Sequence, residues 1–260
     1  MQEPFLHFHS PMTKSRESAF ARMTSQMQKA FAREAEMPQP VRKTVATTGK
    51  RRFLQLKVAL KDISPPIWRR FVVPSDYSFA QLHECLQIIM GWDNDHLYEF
   101  IVGGRRDGQH YTVLDDLMDD FGDHEDVGDH DLNFLTRKGM KFSYFYDFGD
   151  SWDHEIVAEN VNYEHPEDEP PVVALAGKRN CPPEDCGGCW GYANLVEALA
   201  NKEHPKHEGL AEWIGEYDPE EFCLEEINAI LASRFGKTKT SSTGTKKAVK
   251  KTTTKKAKKK

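Results

Sequence analysis

The stretch Phe142 to Glu159, FSYFYDFGDSWDHEIVAE, sets six aromatic rings, five carboxylates and one histidine within eighteen residues. Its apolar residues alternate on both sides of a Gly-Asp-Ser break, and a period of two belongs to a strand, so the stretch reads as a hairpin. With Gly149, Asp150 and Ser151 as a three-residue turn, Phe148 faces Trp152, Tyr146 faces His154, Tyr144 faces Ile156 and Phe142 faces Ala158. These residues share one face, and that face is a core. The opposite face then sets Asp147 against Asp153, and like charges directly across a ladder repel unless a cation, a metal ion or water separates them.

A core of that kind needs further elements to cover it, and residues 53–236 supply them. Leu54, Leu56, Val58 and Leu60 alternate as a half-buried strand, and IWRRFVV (67–73) reads as a second, with Pro65-Pro66 at its entrance. Ser78 and Gln81 form a capping box for a helix that buries Phe79, Leu82, Leu86, Ile89 and Met90, and Gly91 suits its left-handed end. Leu97–Val102 and His110–Val113 read as a hairpin, with Asp107-Gly108 in the turn and Gly103-Gly104 too short to cradle phosphates. Residues 160–177 read as a surface excursion, Cys181–Tyr192 as a Pro/Gly-rich turn that opens a helix, and Lys206–Ile214 as a short helix. Asp218 is placed to cap a last helix with Pro219 in its first position and Glu221 completing the box. The implied fold class is α+β, a mixed and largely antiparallel sheet of hairpins packed against several helices.

The two ends differ from this middle. Residues 1–52 form an N-terminal extension in which Phe20, Met23, Met27 and Phe31 recur at helical spacing, followed by a Pro- and Thr-rich linker. That helix either docks on the domain or serves a membrane surface or a partner. Residues 237–260 hold 11 lysines and no acid, so the other 236 residues carry 24 basic and 41 acidic side chains, a net of −17 against −6 for the whole chain. A segment of that composition cannot bury a core and is expected to be disordered. Its Lys246, Lys247, Lys250, Lys251, Lys255, Lys256 and Lys258 suit nonspecific contact with nucleic-acid phosphates, with no aromatic to read bases. The alternative is a solubilising tail that folds back on acidic residues of the body.

The motifs ISPPIWRR, LHECLQIIMGW with HLYEF, YDFGDSWDHEI, and CPPEDCGG followed by GY resemble the plasmid pRiA4b ORF-three-like family, whose members are also labelled insertion-element passenger proteins of the TnpR type. The resemblance runs from about Phe53 to Phe235. It implies an α+β domain and an association with mobile elements, not a known reaction. Cys189, where relatives are expected to have proline, lies outside the pattern, as do the N-terminal extension and the lysine tail.

Several constellations have the residue types for chemistry. Cys181, Cys186 and Cys189 are spaced as a zinc knuckle that Cys223, His204 or His207 would complete; the alternatives are ordinary reduced cysteines or a redox pair of Cys186 with Cys189. Asp147, Asp150, Asp153 and His154, together with Asp93, Asp95 and His96, would form a carboxylate and imidazole cluster able to hold a divalent metal and activate water if the two loops meet. Against this, Asp150 beside Gly149 is an ordinary turn residue and His154 opposite an aromatic face an ordinary core histidine. Nine acids between Asp115 and Asp131, with His124 and His130 among them, read as a solvated loop, a weak divalent-cation site or a dock for a basic segment.

Five cysteines, no signal peptide and no run of about 18 apolar residues point to a cytoplasmic chain that does not span a membrane. The leading expectation is a non-enzymatic binding module that touches nucleic acid through its tail and a protein partner through its acidic body. A metal-dependent hydrolase built on residues 147–154 and a zinc-stabilised interaction domain are its rivals.

Overall fold

The alternation along Phe53–Leu60 builds strand β1, with Leu54, Leu56, Val58 and Leu60 buried and the residues between them half-exposed. In the computed structural model, which describes residues 51–113 and 124–236, there follow β2 (Trp68–Pro74), α1 (Phe79–Met90), β3 (Tyr98–Val102), β4 (Gln109–Thr112), β5 (His124–Asp126) and a 3-10 turn at Leu132–Phe134. Then come β6 (Lys141–Tyr146), β7 (Trp152–Asn160), β8 (Val173–Lys178), α2 (Gly188–Ala200), α3 (His207–Ile214) and α4 (Leu224–Phe235). The eight strands form one sheet in the order β5-β4-β3-β6-β7-β1-β2-β8, antiparallel except for the β4–β5 pair. This is the α+β class expected. The helix around Phe20–Phe31, the lysine segment 237–260 and residues 114–123 of the acidic loop lie outside the described residues. No helix among the described residues is long and apolar enough to cross a membrane.

One apolar cluster joins the inner face of the sheet to Phe79, Leu82 and Leu86 of α1, Leu195 of α2 and Leu231 of α4. The opposite face is charged, because each strand's pleat sends every second residue there. On that face Arg70 pairs with Glu159 (2.5 Å), Lys61 with Asp153 (3.0 Å) and Lys141 with Glu155 (3.0 Å).

The central hairpin keeps the expected faces but not the expected register. Tyr146 pairs with Trp152, Tyr144 with His154 and Phe142 with Ile156, so the turn has five residues, 147–151, instead of three. A slip of two residues leaves every side chain on its own face. The cause is local: Asp147 and Ser151 take left-handed backbone (φ 56° and 57°), Ser151 N donates to Asp147 O (2.6 Å), and Gly149 N donates to Asp147 Oδ1 (2.8 Å). As a result Phe148 leaves the ladder, and Asp153 stands opposite Phe145, so the expected clash with Asp147 does not arise.

Two further elements differ from expectation. Within the presumed excursion 160–177, residues from Val173 onward form β8, which pairs with β2 at the edge of the sheet. There Asn228 of α4 accepts from Ala174 N (2.8 Å) and donates to Ala174 O (2.9 Å), filling the place of a neighbouring strand. The last helix starts at Leu224, not Pro219, since the carbonyls of Asp218 and Pro219 are engaged by Asn180 (3.1 and 3.0 Å) and Asp218 Oδ1 instead closes a turn onto Glu220 N (2.9 Å). The capping box of Ser78 and Gln81 and the left-handed Gly91 (φ 91°) are present as expected.

Behind the hairpin, four polar side chains close a ring. Gln87 Nε2 donates to Tyr144 OH (2.9 Å), Tyr144 OH to His83 Nδ1 (2.8 Å) and His83 Nε2 to Asn94 Oδ1 (2.5 Å), while Asn94 N returns to Gln87 Oε1 (3.1 Å). Burial outweighs the Asn94 bond and pushes the His83 pKa down to about 3. Burial also takes His154 down to about 4, although its Nδ1–H lies within reach of the Tyr144 and Trp152 carbonyls. Both pKa values are below the unfolded value of 6.5. Their stabilisation is therefore complete above pH 6.5 and is lost as pH falls toward 4 and then 3. Urea unfolding midpoints should fall steadily between pH 7 and pH 4.5, and a flat profile would show that neither histidine is held neutral.

Candidate functional site at a junction of three loops

The five-residue turn of the hairpin meets two other loops, residues 91–97 after α1 and residues 181–187 before α2. Trp92, 2% exposed, fastens the first of them: its Nε1 donates to Pro182 O (2.9 Å) and its ring stacks on Tyr146 (4.8 Å between centroids). The Tyr146 hydroxyl then donates to Glu184 Oε1 (2.5 Å) and accepts from Asp95 N (3.2 Å), while Asp93 N donates to the same Glu184 oxygen (3.2 Å). Asp150 Oδ2 accepts from Gly187 N (3.0 Å). The glycines that follow the Pro-Pro arm are required here. Gly188 has φ 65°, and a Cβ on it would stand 2.4 Å from Asp150 O.

These bonds bring together loops that carry six carboxylates, Asp93, Asp95, Asp147, Asp150, Glu184 and Asp185, and the imidazole of His96 lies among donor atoms of Asp147 and Asp185. Its Nδ1 lies 3.8 Å from Asp147 Oδ1 and its Nε2 3.5 Å from Asp185 Oδ1, so it stands between two carboxylates without a close bond to either. Burial raises the pKa of Glu184, partly offset by the Tyr146 hydroxyl, and burial followed by the Asp95 charge raises that of Asp93. The Tyr146 hydroxyl is raised by burial and by Glu184, so it stays a proton donor. The same segments carry exposed apolar side chains: Leu97 (51%) at the end of the first loop, Phe148 (52%) in the hairpin turn and Trp190 (89%) in the first turn of α2.

The candidate residues read from the sequence fall in different places. Asp147 and Asp150 reach the junction and do meet the Asp93–His96 loop. Asp153 projects from the charged face of the sheet toward Lys61, and His154 is fully buried in the core. The cysteines are not gathered as metal ligands: among the described residues, the groups of three or more donor side chains within 4.8 Å of one another contain no cysteine. Cys189 Sγ is 3.7 Å from Lys61 O, Cys223 Sγ is 3.8 Å from Glu225, His207 Nδ1 bonds Ala198 O (2.8 Å) and His204 Nδ1 accepts from Lys206 N (3.2 Å). Burial raises the thiol pKa of Cys181 and Cys189 and takes Cys186 to about 12, which disfavours thiolates. The tail lysines 246–258 are outside the described residues. Sequence reasoning passed over Glu184 and Asp185, whose only signal was their position between Pro-Pro and Gly-Gly, two stiffening features that present whatever they enclose.

Residues 52–226 match the family model described as plasmid pRiA4b ORF-3-like protein. The chain belongs to that family. All three loops lie inside the matched span. The chain is similar to the uncharacterized protein y4hQ of Sinorhizobium fredii (strain NBRC 101917 / NGR234), 39% identical over 166 residues that make up 64% of this chain and 82% of y4hQ. It is also similar to the crystal structure of a protein of unknown function, MM3350 from Methanosarcina mazei Go1, with a TM-score of 0.61 and 32% identity, covering 68% of this chain and 98% of MM3350.

Because the added methyl would meet a backbone oxygen, which cannot swing away, Gly188→Ala should destabilise the fold by roughly 2 kcal/mol or more. Chemical denaturation checks this, and an unchanged midpoint would mean that the loops do not touch as described.

Proposed function

We propose that the chain is a non-enzymatic binding module whose three-loop junction receives a basic segment of a protein partner. One observation carries this reading: among the described residues four large hydrophobic side chains are exposed, and three of them belong to the junction's own segments, Leu97 ending the 91–97 loop, Phe148 in the hairpin turn and Trp190 in the helical turn that follows residues 181–187. Exposed aromatics beside carboxylates suit recognition, because an aromatic anchor excludes water from neighbouring charge-assisted hydrogen bonds to arginine or lysine. Recognition is favoured over hydrolysis by the placement of the acids. Asp153 and His154 point away from the junction, and Asp150 is engaged by a backbone amide.

The lysine-rich segment 237–260 adds a second, sequence-independent hold on nucleic acid in the same proposal, supported by its 11 lysines without one acid. A cytoplasmic setting, which suits the free cysteines among the described residues, and the association with mobile elements implied by the family resemblance complete the reading.

Two measurements test its halves separately. Arginine-rich peptides that carry one aromatic residue should bind the full chain, and Trp190→Ala should weaken that binding by about tenfold or more without changing the melting temperature. Equal affinity for both proteins would overturn the junction as a recognition surface. Duplex DNA should bind with an affinity that falls steeply as salt rises, by roughly 0.9 logarithmic units per decade of salt for each phosphate neutralised. Deleting residues 237–260 should remove most of that affinity and slope; unchanged values would remove the tail from the account.

A further inference from the structure

A second cluster of donor side chains lies at the far end of the sheet, on its charged face. Tyr98 and Phe100 point from β3 into the core, so Glu99 between them points the other way; Tyr111 packs on the core from β4, and His110 beside it likewise faces outward. The parallel pairing of β5 with β4 then sets His124 directly beside His110. The outcome is convergence on one atom. His110 Nδ1 lies 2.6 Å and His124 Nε2 3.4 Å from the same Glu99 Oε1, and the two imidazole rings meet edge to face with centroids 5.4 Å apart. All three donor atoms fall within 4.8 Å of one another.

We propose that Glu99, His110 and His124 form a zinc site. Donor type narrows the ion: hard oxygen-seeking ions such as calcium and magnesium would take more oxygens than the site offers, whereas two imidazoles and one carboxylate suit a late first-row ion, and zinc takes this set in a tetrahedral site with one open position. Spacing agrees. Ligands at about 2.0–2.1 Å from a tetrahedral ion stand about 3.3 Å apart, which the His124 to Glu99 distance already matches and the His110 to Glu99 distance reaches by opening less than about 1 Å. Three protein ligands leave a fourth position, and the side chains are 17 to 26% exposed, so solvent reaches the cluster. Two neutral imidazoles and one carboxylate leave one net positive charge on the bound ion, and a water, a hydroxide or an anionic group of a ligand would fill the open position. The ion would also tie together three strands, β3, β4 and β5, of which the last is only three residues long.

Cobalt(II) serves as the visible probe for zinc in the metal-free full chain. Wild-type protein should take up one equivalent with the visible absorption of a four-coordinate ion, zinc should displace it, and zinc should raise the melting temperature. Glu99→Gln, which preserves shape, and His110→Ala should each weaken binding by roughly 100-fold or more. His96→Ala at the three-loop junction should leave it unchanged. Absence of binding by the wild type overturns the proposal, and so does binding that survives Glu99→Gln and His110→Ala or is lost in His96→Ala. If His110→Ala fails to fold, Glu99→Gln and His124→Gln, checked by circular dichroism without metal, decide the matter alone.

Discussion

The hydrogen-bonded ring of Gln87, Tyr144, His83 and Asn94 is the constraint on which the arrangement of loops depends. Its His83, Gln87 and Tyr144 members are buried and Asn94 is half-buried, each member gives and receives one bond around it, and it links a helix, the central hairpin and the loop that carries Asp93, Asp95 and His96. Removing the side chain of a buried member, His83, Gln87 or Tyr144, would strand its partners' polar groups, at a cost of about 1–3 kcal/mol for each group left unsatisfied away from water. The loop can therefore take the position that presents His96 between two carboxylates even though Asn94 sits at a positive φ of 61°. Stacking of Trp92 on Tyr146 extends the same anchoring toward Glu184, so the polar junction rests on the aromatic core directly beneath it.

The division between core and surface in Phe142–Glu159 was legible from alternation alone, because a strand's faces survive any even change of register. Turn length was not legible, since it was decided by left-handed backbone at Asp147 and Ser151, two residues that carry no compulsory preference for it. The start of the last helix was misread for a related reason. Asp218, Pro219 and Glu221 form a sound capping pattern, but Asn180, nearly forty residues earlier, engages the carbonyls of Asp218 and Pro219. Strand β8 was missed because VALAGK alternates weakly and follows a Pro-rich stretch.

The candidate sites follow the same logic. That the Asp93–His96 loop would approach the hairpin turn was anticipated as a condition, and the two do meet. Which acids would face the meeting point was not, since Asp153 is turned away by the pleat and Glu184 arrives from a loop that looked like a cysteine turn. The Glu99, His110 and His124 cluster was further from view, because it depends on a parallel pairing between a three-residue strand and its neighbour. In the sequence His124 stands only as one member of an acidic loop.

The Asn228 side chain on Ala174 bears on how the sheet avoids growing. An eight-stranded sheet exposes two edges, and an unpaired edge is a template for another molecule's strand. At β8 the Asn228 amide occupies both backbone groups of Ala174, so an incoming strand would have to displace it to pair with that residue. At the other edge β5 is only His124-Glu125-Asp126, too short and too charged to offer a register. Among the described residues the sheet thus ends at one side with a borrowed side-chain amide and at the other with brevity, two features that disfavour edge-to-edge pairing without closure into a barrel.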